Sequence, residues 1–220
     1  ELEKAVFLAQ NGRPGPVWVD IPLDIQAAQI DKDSLSGYNP VEDAAWARVP
    51  VTTLEKTVSK LIDDLNHSER PVVLAGNGIR LSKSIDIFKE VCDHLKIPVL
   101  LTWKAIDFLE EEHSLFVGRP GGVGQRGANF SQQNADFLLS LGARLDHGQT
   151  AYQHKYFARE ATKAIVDIDK TEIDKLDMDI KYPLAVDCRE FLEELLKQKH
   201  KIKPVSKEWL QRCKDWQAKY

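Results

Sequence analysis

Short, mostly apolar runs that alternate with helical stripes constrain this chain more than any other feature. Residues 71–75 (PVVLA), 97–101 (IPVLL), 137–141 (FLLSL) and 164–168 (AIVDI) are strand-length, and neither face of such a run suits water. Between them, Leu54, Val58, Leu61, Ile62 and Leu65 recur at helical spacing, with Thr52 or Thr53 as the expected N-cap. Ile85, Ile87, Phe88, Val91 and Leu95 repeat the stripe. Strands apolar on both faces need a covering layer on each side, which helical crossovers in a parallel sheet supply. The expected fold is α/β, a doubly wound parallel sheet of about six strands flanked by helices, over residues 51–200.

The remaining segments carry weaker patterns. Strands are expected at residues 17–21, 115–118 and 184–186, and helices at 106–111, 152–160, 172–176 and 190–199. Residues 27–50 are polar and proline-bounded, a linker. Trp209 and Trp216, seven apart among charges, suggest a terminal helix whose partner surface lies outside this chain. A net charge of −4 leaves no basic footprint for nucleic acid, and no apolar run reaches the roughly 18 residues of a membrane helix. The opening ELEK has neither a signal peptide nor an initiator Met, so the chain reads as a fragment. Cys92, Cys188 and Cys213 are far apart and odd in number, which points to free thiols and a cytoplasmic setting.

Chemistry concentrates in residues 118–150. Gly122, Gly124 and Gly127 have the G-x-G-x-x-G spacing that lets backbone N–H groups approach a pyrophosphate, although the strand before them is weak. Arg144, Asp146 and His147 follow the strand at 137–141, where a parallel sheet places its ligands. Gly76, Asn77 and Gly78 end the first strand and open a helix. Asp167 is placed to accept a ribose hydroxyl, whereas Asp169, three residues before Glu172, suits a helix cap. Asp187 and Cys188 repeat the theme after the last strand. The six histidines are dispersed, and no metal cluster is apparent.

Taken in order, these segments resemble the thiamine-diphosphate-dependent enzymes typified by acetolactate synthase, pyruvate oxidase and benzoylformate decarboxylase. GRPGPVWVDIPLDIQ (12–26) looks like the close of that family's pyrimidine-binding domain. RPVVLAGNGIR (70–80), ADFLLSLGARLDHGQT (135–150), KAIVDIDKTEIDK (163–175) and LAVDCREFLEEL (184–195) look like its Rossmann-like central domain. The resemblance implies four parts: residues 1–26 from the preceding domain, a linker at 27–50, the central domain at 51–200, and a linker helix at 201–220. It further implies thiamine diphosphate and magnesium in the full-length enzyme, bound by neighbouring domains that also hold the catalytic residues. A homodimer or homotetramer is implied as well. The central domain of such enzymes binds FAD, ADP or nothing. By motif, the contacting positions are Arg13, Gly76, Asn77, Gly78, Thr102, Trp103, Lys104, Gln125, Arg126, Gly127, Gly142, Ala143, Arg144, Asp146, Asp167, Ile168, Asp187 and Cys188. Gln125-Arg126 and Leu145-Asp146-His147 depart from the flavin-binding pattern, and Arg126 is a candidate phosphate partner instead.

Two alternatives remain open at this level. Gln133-Asn134-Ala135-Asp136 and His147-Gly148 echo the sirtuin-type NAD-dependent deacylases, although no C-x-x-C pair exists to hold their zinc. A purely structural spacer with no nucleotide is the other.

Overall fold

A computed structural model describes residues 1–40, 51–203 and 205–220, and divides the chain into two compact units, Glu1–Arg48 and Val49–Tyr220. Residues 41–50 of the expected linker lie outside the described residues. In the first unit, α1 (Leu2–Gln10) and α2 (Leu23–Gln26) bury no side chain. Tyr38 ties back to α1 through a 5.4 Å ring contact with Phe7 and a backbone N–H donated to the Glu3 carboxylate at 2.7 Å. The strand expected at residues 17–21 does not form: these residues carry no regular structure, and Trp18 is 91% exposed. An apolar run becomes a strand only when a neighbouring strand takes its backbone hydrogen bonds, and the described residues of this unit include no strand.

The second unit opens with α3 (Val51–His67) and then alternates. β1 (Pro71–Ala75) leads through α4 (Gly78–Leu81) and α5 (Ile85–Leu95) to β2 (Val99–Leu101). After a long irregular stretch come α6 (Arg126–Gln133), β3 (Phe137–Leu141), α7 (His147–Thr150) and β4 (Thr162–Asp167). The unit finishes with α8 (Lys170–Asp174), β5 (Tyr182–Ala185), α9 (Cys188–Lys197) and α10 (Lys207–Lys219). Among the described residues these strands form one parallel sheet in the order β2-β1-β3-β4-β5. The sixth strand is reduced to a bridge: residues 115–118 run beside β2, pairing Phe116 with Val99.

Strand alternation sorts the core into two faces. Val73, Val99, Leu139, Val166 and Leu184 point toward α3, α5 and α9. Val72, Leu74, Leu100, Leu138 and Ile165 point to the other face, covered by Ala128 of α6, Ile173 of α8, and Trp209 and Cys213 of α10. The expectation of an outside partner for the tryptophan-bearing tail is thus overturned: its partner surface is α6 and this sheet face. Close packing of α10 requires Gly127, whose Cβ would stand 2.4 Å from the Trp216 carbonyl oxygen. All three cysteines are free and buried.

Local expectations failed where tertiary geometry overrode apolar spacing. Residues 106–111 are turns, although Phe108 and Leu109 are buried. The helix expected at 152–160 is only a 3-10 turn at His154–Tyr156, because Ala151, Tyr152 and Ala158 all adopt left-handed φ. Thr52 and Thr53 fall inside α3 rather than capping it.

A half-exposed triad at the sheet edge fastens α3 to β5. The Tyr182 hydroxyl donates to Asp64 at 2.7 Å, and the Lys181 ammonium lies 2.5 Å from the same carboxylate. Burial pushes the Asp64 carboxyl up, but hydrogen bonds from Lys181 and Tyr182 and the Lys181 charge outweigh it, so Asp64 titrates below the ordinary carboxylate value. A depressed folded-state pKa gives stability that is present above the unfolded value and lost as pH falls through the folded one. The stability gap between wild type and Asp64→Asn should therefore be widest near neutrality and close as pH falls below the ordinary carboxylate range, about pH 4. Urea unfolding at stepped pH measures it; a gap independent of pH refutes the assignment.

Candidate functional site

Because the strands are parallel, their carboxyl ends share one edge, and most of the expected ligand positions gather there. Thr102, Trp103 and Lys104 follow β2; Gly76, Asn77 and Gly78 follow β1. Gly142, Ala143, Arg144 and Asp146 follow β3; Asp167 ends β4 and Ile168 follows it; Asp187 and Cys188 follow β5. Connections leave β1 toward β2 on one side and arrive at β3 on the other, so the topological switch point lies between β1 and β3.

At that point the two loops close on each other. The Gly76 N–H donates to the Leu141 carbonyl and the Gly78 N–H to the Gly142 carbonyl, both at 2.9 Å. The Gly142 N–H donates to Val166 O at 2.8 Å. A Cβ on Gly76 would sit 2.4 Å from Ala143 Cα, and one on Gly78 would sit 2.6 Å from Gly142 Cα. These glycines permit backbone contact between β1 and β3, and the amides expected to face a phosphate are engaged within the sheet edge. The G-x-G-x-x-G spacing has a similar explanation. Gly122 N–H donates to Gly148 O, Gly124 N–H donates to Gly121 O, and Gly127 is packed under α10.

The acids at the strand ends also have local work. Asp146 caps α7 through the Gln149 N–H, and Asp187 caps α9 through the Arg189 N–H. Asp169 caps α8 through the Thr171 N–H, as its spacing suggested. Asp167 is 8% exposed and accepts from the Asp169 N–H at 2.9 Å. Cys188 is buried against Gly142, and burial pushes its thiol up, so it is no thiolate near neutral pH. Gln125 accepts from the Arg119 N–H, while Arg126 lies over the Phe130 and Tyr220 rings at 5.9 and 5.3 Å.

What remains toward solvent is a mixed surface. Trp103 is 66% exposed, Lys104 is exposed, and Arg144 reaches Glu172 at 3.3 Å with most of its side chain in water. Arg80 was not singled out by sequence, although it stands two residues after the glycine pair. Its guanidinium joins the β1 and β2 loops, donating to Asn77 Oδ1 at 3.1 Å, to the Lys104 carbonyl at 2.8 Å and to both Asp107 oxygens at 2.5 and 2.7 Å. Arg13 belongs to the first unit. A groove of about 550 Å³ lined by Arg70, Asn134, Trp209 and Arg212 lies at the opposite, amino-terminal edge, a seam between α10 and the start of β1. Among the described residues no group of three or more metal-ligating side chains occurs, and no helix is long and apolar enough to cross a membrane.

The sheet order and its glycine-joined switch point define a doubly wound, Rossmann-like domain of the flavodoxin topology. Residues 58–195 match the family described as thiamine pyrophosphate enzyme, central domain, and the chain belongs to that family. It is 32% identical over 214 residues to the acetolactate synthase large subunit of Lactococcus lactis, covering 95% of this chain and 35% of that protein. The acetolactate synthase large subunit of Corynebacterium glutamicum is 31% identical over 228 residues, covering 100% of this chain and 34% of the relative. For the isozyme 3 large subunit of Escherichia coli K12 the figures are 31% over 231 residues, 99% and 38%. The chain thus spans little more than a third of the curated relatives it matches. The sirtuin reading falls with this family match. Geometry agrees: Asn134 and Asp136 precede β3, with Asp136 bonded to the Glu69 and Arg70 N–H groups, whereas His147 and Gly148 follow β3 at the other edge.

Proposed function

We propose that this chain is the central part of a longer thiamine-diphosphate- and magnesium-dependent enzyme that decarboxylates and joins 2-keto acids, as acetolactate synthases do. On this reading residues 1–26 close a pyrimidine-binding domain, 27–50 link it to the central domain at 51–200, and 201–220 lead toward a diphosphate-binding domain. The thiamine diphosphate, the magnesium and the catalytic groups belong to those flanking domains, in a cytoplasmic homodimer or homotetramer. The central domain carries an adenine nucleotide, FAD or ADP, across its strand ends.

The observation that supports the nucleotide is the gathering of Trp103, Lys104, Arg144 and Asp167 on one edge of a sheet with a switch point. Since the glycine amides there are engaged, the nucleotide lies over the loops rather than between β1 and β3. Arg144 pairs with the diphosphate, Asp167 accepts a ribose hydroxyl, and Arg80 steadies the loop that bears Trp103 and Lys104. Bound FAD would supply a redox-active ring, and bound ADP recognition alone. Closure of the β1 and β3 loops also favours a second reading, a structural spacer with no nucleotide.

Isothermal titration of the 220-residue protein with FAD, ADP and NAD separates these. FAD or ADP should bind, and Arg144→Ala should weaken either by about tenfold, as expected for loss of a charge-assisted phosphate contact. Silence with every ligand at high micromolar concentration leaves the spacer reading. For the larger assignment, a gene encoding no diphosphate-binding domain downstream of Tyr220 would sink the proposal.

A further inference from the structure

Beside the Arg144 loop, the chain holds two rings in a strained and exposed arrangement. His147 and Tyr152 lie nearly parallel, 7° apart with centroids at 5.4 Å, the geometry of an offset stack. One face of Tyr152 rests on His147, and the residue as a whole is 77% exposed. To place it there, Ala151 and Tyr152 both take left-handed backbone conformations, with φ of 52° and 64°. That region is unfavourable for any residue with a Cβ, and two such residues in succession are uncommon outside glycine.

The surroundings enforce the conformation. Ala151 and Tyr152 both donate their backbone N–H to the His147 carbonyl, the latter at 2.9 Å. Asp146 fixes the start of the turn through the Gln149 N–H at 3.0 Å. From the neighbouring loop, Gly122 donates to Gly148 O at 2.7 Å, and Gln149 Nε2 donates to Pro120 O at 3.2 Å. Strain that is fixed on several sides, and that presents a large side chain to solvent rather than to a core, marks a binding device more than a packing one.

We propose that the His147–Tyr152 stack is a platform for a flat heteroaromatic ring, the adenine or flavin of the nucleotide proposed above. The inference rests on that nucleotide reading and adds where its ring lies. Stacking requires only the exposed π face of Tyr152, so the ring pair needs no rearrangement to receive a ligand.

The test uses the 220-residue protein and three titrants: ADP, which carries adenine; riboflavin, which carries the flavin; and FAD, which carries both. Tyr152→Phe keeps the face and should bind as wild type within about twofold. Tyr152→Gly removes the ring while relieving the left-handed strain. It should weaken FAD by about tenfold or more without lowering the melting temperature. Riboflavin and ADP then show which ring is held, by which of the two weakens in parallel. Unchanged FAD and ADP affinity in Tyr152→Gly overturns the platform while leaving the nucleotide reading standing. Failure of the wild type to bind any titrant ends both. A Phe variant as weak as the Gly variant also overturns the stacking assignment, since only the hydroxyl would then matter.

Discussion

Gly142→Ala is expected to lower the free energy of unfolding by about 2–5 kcal/mol, read as a lower urea midpoint at unchanged slope. Two effects add. Gly142 has φ of +55°, which disfavours a Cβ by about 1–2 kcal/mol. Its Cβ would also press to 2.6 Å from Gly78 Cα and 2.8 Å from Cys188 Sγ. Moving it means parting the β1 and β3 loops, held by paired backbone hydrogen bonds, and overpacking of that kind costs about 1–3 kcal/mol. Gly148→Ala is the control: an added Cβ meets nothing closer than Asp146 Oδ1 at 3.4 Å, and no loss of stability should follow. Equal stability of the two variants would show that the loop contact is not tight.

Trp209→Ala should be as damaging, with a loss of about 3–5 kcal/mol, the range for deleting a large buried aromatic. Trp209 is 4% exposed, packs edge-on against Trp216 at 5.8 Å, and donates its indole N–H to the Pro71 carbonyl at 2.9 Å. Trp209→Phe keeps most of the volume and leaves that carbonyl without its donor, so a loss of about 1–3 kcal/mol is expected. Trp103→Ala, at a tryptophan 66% exposed, should change stability by no more than about 0.5 kcal/mol. Were Trp209→Ala equally mild, α10 could not be closing the sheet.

The sheet was legible because β1, β3 and β4 are apolar on both faces, a demand only two covering layers can meet. Helices α3 and α5 were legible because their stripes have one dominant period. The glycine spacing at 122–127 misled for a physical reason: Gly127 is small because a helix some ninety residues later crosses it, and no local pattern records that contact. The candidate site was legible as an address, since strand ends in a parallel sheet share an edge. Its state was not. That the Gly76, Gly78 and Gly142 amides are engaged depends on loop pairing across strands. Arg80 and the Tyr152 turn emerged only from geometry, because neither a basic residue after a glycine pair nor a lone tyrosine is a distinctive signal.

The bond from Trp209 to Pro71 joins residues 138 positions apart. On a ribosome adding roughly 5–20 residues per second, β1 emerges on the order of ten seconds before the helix that covers it. During that interval Val72 and Leu74 present an oily face that lacks the part of its cover supplied by α10, open to chaperones or to other nascent chains. The order of synthesis therefore makes closure of this face a late event, and variants that weaken α10 should reveal themselves first as poor yield of soluble protein rather than as altered chemistry.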